Sequence, residues 1–165
     1  MAPDDENSST DRGEQAALDA VQAALAGRIR LGDRIGHGQT GIVCHGFSER
    51  ALFGRPEGAD FAIKIVRVDS KDGGRTLERA RREGLLGSQV DDPHLVRIHE
   101  TGVIDDPGVS AVYLLQDFVH GRTLRDFLHE QGAASAALVR HVGAQASRAL
   151  AALHRLGVCH RDVKP

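Results

Sequence analysis

A chain of 165 residues with 41% hydrophobic residues can form one domain of ordinary size or part of a larger one. Aromatics are only 4% and Trp is absent, so the core must be aliphatic and Ala-rich. A formal net charge of −2 argues against nucleic-acid binding built on bulk charge, and no apolar run approaches the roughly 20 residues of a membrane helix. Two cysteines, Cys44 and Cys159, are too few for a disulfide scaffold and suit a reduced, cytoplasmic setting. No charged-then-apolar N-terminal stretch reads as a signal peptide.

The start is acidic and poor in apolar residues. Over residues 1–27, Asp4, Asp5, Glu6, Asp11, Glu14 and Asp19 stand against Arg12 alone, and residues 1–28 are expected to be a disordered tail with a short helix. Within it, 14–26 has helical composition. Ala17, Leu18, Val21, Ala24 and Leu25 fall near one face, and the segment is expected to fray rather than dock. From Ile29 the pattern changes. "IRLGDRIGHGQTGIVCHGF" places β-branched residues on both sides of a Gly-rich bend, and "DFAIKIVRV" predicts a third strand. The polar stretch between them carries Gly54, Pro56 and Gly58 and predicts a loop.

Residues 77–89 predict a helix. "HLVRIHETGVI" and "SAVYLLQDF" predict two more strands around the turn "DDPG". Residues 123–129 predict a short helix and 135–156 a long one, with Ser135 as N-cap and Gly157 as its stop. The order is three strands, a helix, two strands and two helices, with no internal repeat.

Three stretches carry chemistry. Gly36, Gly38 and Gly41 stand in a G-x-G-x-x-G pattern, a weak signal alone. A dinucleotide fold needs a helix next, but strand-favouring Ile42 and Val43 follow, so the glycines sit at a hairpin bend. Such a bend either is a plain flexible turn or lays backbone N–H groups over phosphates. Lys64 lies among apolar residues; it either snorkels to water or faces the bend as a cation for phosphates, with a carboxylate to hold it. Glu83 fits that carboxylate better than Glu78. Its helical neighbours Ala80, Leu86 and Gly87 suit packing on a sheet, whereas those of Glu78 are Arg81 and Arg82. The third stretch is "HRDVKP" at residues 160–165. The histidines show no metal-ligand spacing, and Cys44 reads as an inert strand thiol.

Taken in order from about Leu31 to Pro165, these stretches resemble the protein kinase family, specifically bacterial-type serine/threonine kinases. "IGHGQTGIV" is similar to its glycine loop, "FAIK" to its third-strand lysine motif and "HRDVKP" to the opening of its catalytic loop. The resemblance implies an α+β fold: a small lobe and hinge over 29–119, with an antiparallel five-stranded sheet and a C-helix. The first helices of an incomplete helical lobe would follow over 120–165. It implies that Ile35, Gly36, Gly38 and Gly41 cover ATP and that Lys64 holds its α- and β-phosphates while pairing with Glu83. Val43 and Ala62 would sandwich the adenine. Gln116 would be the gatekeeper, and the backbone of Asp117 and Val119 would bond the adenine edge. Asp162 would act as base for a substrate hydroxyl, and Lys164 marks the serine/threonine subclass.

The implied partners are ATP and a protein substrate, with no nucleic acid. The family's Mg²⁺ ligands, an asparagine and a D-F-G aspartate, have no match within residues 1–165, so no metal ligand is assigned. The chain is expected to be a kinase truncated after "HRDVKP" and inactive as it stands; the alternative is a non-catalytic kinase-like binding or regulatory module. Coding sequence beyond codon 165 that supplies both ligands would favour the first.

Overall fold

The computed structural model describes residues 4–38, 41–68, 78, 81–82, 84–85, 87–160 and 163–164, with side chains from Asp11. Five strands, β1 (Ile29–Gly38), β2 (Gly41–Ser48), β3 (Asp60–Arg67), β4 (Ile98–Asp106) and β5 (Val109–Asp117), form one antiparallel sheet in the order β1-β2-β3-β5-β4. Buried and half-buried residues alternate strictly along β2, the period-two pattern of a strand with one face on a core. The chain divides into two compact units, 1–88 with 98–118 and 89–97 with 119–165.

The N-terminal segment departs from the sequence expectation. Instead of a disordered tail with a fraying arm, helix α1 runs Asp4–Leu25. Ala17, Val21 and Leu25, spaced four apart on one stripe, are fully buried against Ile42, Ile63, Ile65, Tyr113 and Leu115 of the sheet. Composition alone disfavours order here, but Val21 and Leu25 gain about 1.5–3 kcal/mol each, and Ala17 less, when the stripe covers an apolar sheet face. Ala24, expected on that stripe, is exposed. Gly27, at φ +70°, ends the helix in the left-handed conformation that glycine adopts without penalty.

Two polar links fix α1 to the sheet. The Gln22 amide donates to the Ile29 carbonyl (3.2 Å) and accepts from the Leu31 N–H (2.7 Å), standing in for a strand partner at the edge of β1. Just past the helix, Arg28 makes a two-pronged bond to Glu100 of β4 (2.7 and 2.9 Å), and the Tyr113 hydroxyl donates to the same carboxylate at 2.8 Å. The Arg28 hydrogen bonds hold the Glu100 carboxyl below its ordinary value of 4.5, while burial first and the bond to Glu100 second push the Tyr113 phenol up to about 12.

Linkage gives each shift a sign. The Glu100 contribution is present above pH 4.5 and is lost as pH falls through its depressed folded value. The Tyr113 contribution is present below pH 10 and is lost as pH rises through about 12. Glu100→Gln is therefore expected to lower stability at pH 7 by about 1–2 kcal/mol and to flatten the acid limb below pH 4.5, as read by thermal melts from pH 3 to 7. An unchanged acid limb would contradict the assignment.

Before β4, the described residues Glu78, Arg81, Arg82, Gly84, Leu85, Gly87 and Ser88 are helical, as expected. Glu78, Arg81 and Arg82 are exposed, and Gly84 is buried. A Cβ at Gly84 would come within 2.0 Å of the Thr101 hydroxyl, so only glycine lets this helix lie so close to β4.

The second unit carries α2 (Leu124–Gln131) and α3 (Ala136–Arg155). Thr123 and Ser135 cap them, their hydroxyls accepting from Asp126 N–H (3.1 Å) and Leu138 N–H (3.2 Å). Gly157, at φ +72°, closes α3, its N–H donating to the His154 carbonyl at 2.9 Å.

Candidate functional site

Cross-strand register decides which side chains share a face. Gly36 lies opposite Val43, Val43 opposite Lys64, Lys64 opposite Leu114 and Leu114 opposite Thr101. Directly opposed residues project to the same side with Cβ atoms about 4.5–5.5 Å apart. One continuous row therefore crosses all five strands, with the cation in its middle. Ala62 opposes His45 and Gln116 in the adjoining row. Both rows occupy the face opposite α1, because the core with α1 takes the alternate residues Ile42, Ile63, Ile65, Tyr113 and Leu115.

Lys64 is half-buried between Val43 and Leu114, and Ala62 beside it is nearly buried. Gly38 opposes Gly41 at the end of the β1–β2 hairpin, and Ile35 is 50% exposed. Gly41 has a reason of its own. At φ +133° it lies so close to β3 that a Cβ would meet the Ile65 carbonyl oxygen at 2.0 Å, so no other residue fits. The bend is thus held down on β3 at its β2 side. An apolar strip (Val43, Ala62, Leu114) continuous with a half-buried cation suits a ligand with a flat apolar end and an anionic end.

At the other end of β5 the structure adds residues that the sequence did not single out. The Asp117 side chain accepts from Arg55 (2.6 Å) and lies 2.6 Å from the His99 ring nitrogen. The His99 side chain is 7% exposed, stacked on Phe53 with centroids 4.8 Å apart and edge-on to Phe61 at 5.5 Å. On the opposite face Phe118 packs against His45 at 4.3 Å, and His45 bonds Asp60 at 2.8 Å. Residues 117 and 118 are thereby gripped from both sides of the sheet. Arg55 and Phe53 come from the β2–β3 loop, whose Gly/Pro composition signals a turn but says nothing of its reach.

Other singled-out residues fall elsewhere. Glu83 and Asp162 lie outside the described residues. Lys164 and Val119 are exposed in the second unit. Cys44 is buried, and burial pushes its thiol up, which suppresses the thiolate. Among the described residues no group of three or more His, Cys, Asp or Glu side chains is placed to hold a metal ion, and no helix is long and apolar enough to cross a membrane.

A glycine hairpin over a strand lysine, in this sheet order, can be compared with known proteins. Residues 29–165 match the family model for the protein kinase domain. The chain belongs to the protein kinase family. Among bacterial kinases it is 34% identical over 144 residues to a probable serine/threonine-protein kinase of Corynebacterium efficiens, covering 86% of this chain and 20% of that protein. It is 32% identical over 141 residues to the serine/threonine-protein kinase PknB of Mycobacterium tuberculosis, covering 86% of this chain and 22% of that one. This kinase chain thus spans about a fifth of the length of those relatives. Its fold matches the crystal structure of Rad53 1–466 in complex with AMP-PNP, with TM-score 0.66 and 26% identity, over 84% of this chain and 33% of that one. The sheet and helices are those of a kinase small lobe and the start of a helical lobe, as the resemblance implied.

Proposed function

We propose that this chain is the nucleotide-holding part of a cytoplasmic serine/threonine kinase that transfers a phosphoryl group from ATP to a protein hydroxyl. The observation that carries the reading is the row Gly36–Val43–Lys64–Leu114 on one sheet face, with Ala62 beside it. Val43 and Ala62, side by side on that face, cover one side of the adenine. The Asp117 carbonyl and Val119 N–H bond its edge, next to the gatekeeper Gln116. Ile35 and the hairpin glycines Gly36, Gly38 and Gly41 cover the phosphates, and Lys64 neutralises the α- and β-phosphates while Glu83 holds the ammonium.

In transfer, Asp162 accepts the proton of the attacking hydroxyl and Lys164 stabilises the charge that develops on the phosphoryl group. Phosphoryl transfer is mostly positioning and charge neutralisation, so these groups supply the kind of help the reaction needs. The relatives are several times longer, and transfer to protein hydroxyls is proposed for a protein that carries the remainder of the kinase domain. Mg²⁺ would bind with the nucleotide and offset phosphate charge; residues 1–165 have no match to its family ligands. The AMP-PNP complex of Rad53 supports ATP as the nucleotide. The free Cys44 and Cys159 support a reducing compartment.

Titration calorimetry of the 165-residue chain with ATP is expected to show saturable one-to-one binding that ADP displaces. Absence of binding up to millimolar ATP would overturn the nucleotide reading.

A further inference from the structure

We propose that Glu14 of α1 is a positioning residue for the glycine-rich hairpin, clasping it through Arg34 and His37 on the two sides of Gly36. Its bearing on nucleotide binding rests on the function proposed above; the clasp itself does not. Both carboxylate oxygens are used: Oε2 is 3.1 Å from the Arg34 guanidinium and Oε1 is 3.1 Å from His37 Nε2. The Glu14 side chain is 13% exposed, although its partners are 41% and 63% exposed.

The backbone explains how one carboxylate reaches both. Residues three apart on a regular strand point to opposite faces. In β1 the register shifts between Arg34 and Gly36, so Arg34 opposes Cys44, Gly36 opposes Val43 and His37 opposes Ile42, and Ile35 is the extra residue. The bulge turns Arg34 and His37 to the α1 side while leaving Gly36 on the Lys64 side. A strand irregularity at this spot re-aims two side chains onto one acid, which a plain hairpin turn does not require.

The helix that carries the acid is itself braced. Ala17, Val21 and Leu25 are fully buried, and Gln22 bonds β1 at Ile29 and Leu31. Helix α1 thus holds β1 at its start through Gln22 and near its end through Glu14. At the Arg34–His37 side the strand pairs with β2, and the side chains of Arg34, Ile35 and His37 are exposed. The β2 side is pinned by Gly41 on β3.

Hydrogen–deuterium exchange of the 165-residue chain tests the clasp without nucleotide. In Glu14→Gln, amides of residues 35–38 and 41–43 are expected to exchange about two- to fivefold faster, the range that exposed ion pairs support, while amides of residues 17–25 keep their protection. ATP affinity should fall by a similar factor. Adding Arg34→Gln or His37→Gln to Glu14→Gln should change exchange little further, because the shared contact is already lost. Asp19→Asn, on the same helix and bonded to Gln15 at 2.8 Å, should change neither readout. Unchanged hairpin exchange in Glu14→Gln overturns the clasp, and so does loosening that appears only together with loss of α1 protection. If the unsubstituted chain takes up no ATP, that result counts against the nucleotide reading, and the exchange comparison still decides the clasp.

Discussion

Replacing Lys64 with Met is expected to weaken ATP binding about ten- to a hundredfold and to leave the melting temperature nearly unchanged. Removing a charge-assisted contact to phosphate costs about 1.5–3 kcal/mol, and each 1.4 kcal/mol is tenfold in affinity. Met keeps the length and apolar stem that packs between Val43 and Leu114, so the sheet loses little. The two readouts must therefore separate, in calorimetric titration and in thermal melts of the same preparations. Affinity that is unaltered in Lys64→Met would place the phosphates elsewhere.

The second large effect lies on the opposite face. Val21→Asp puts a carboxylate at a fully buried position in an apolar cluster with Ile63 and Ile65. An unpaired buried charge costs several kcal/mol, enough either to unfold the first unit or to lift α1 off the sheet. A loss of about 4 kcal/mol corresponds to a drop of roughly 15 °C or more for a unit of this size. Binding of a hydrophobic dye should rise at the same time, as Ile42, Tyr113 and Leu115 become exposed. Ala24→Asp, on the exposed side of the same helix, should stay within about 1 kcal/mol. A melt for Val21→Asp that matches the unsubstituted chain would mean that α1 contributes nothing to the fold.

These two experiments fall on what the sequence showed and what it hid. The glycine bend, the lysine strand and the cap at Ser135 are local: a few adjacent residues decide them, so they could be read directly. The docking of α1 is not local. Ala17, Val21 and Leu25 look like a weak stripe in an acidic arm until a sheet face of Ile and Leu stands opposite them. The grip on Asp117 joins residues 62 and 18 positions away, and in the sequence its aspartate mattered only for its backbone. The bulge at Ile35 is invisible in sequence because the period-two pattern either side of a glycine-rich bend is too short to show a skipped residue. The glutamate and aspartate assigned at 83 and 162 rest on motif and helical spacing alone, since both lie outside the described residues.

On the proposed function, a nucleoside triphosphate lies against the sheet face bearing Lys64. The chain has three lysines, Lys64, Lys71 and Lys164, so labelling with an acyl-phosphate ester of ATP, whose acyl group passes to the nearest lysine amine as ATP leaves, discriminates among them. Acylation of Lys64, suppressed by excess ATP, is the expected result, as read by peptide mass spectrometry. Lys64 left unmodified, or modified to the same extent with and without excess ATP, contradicts it.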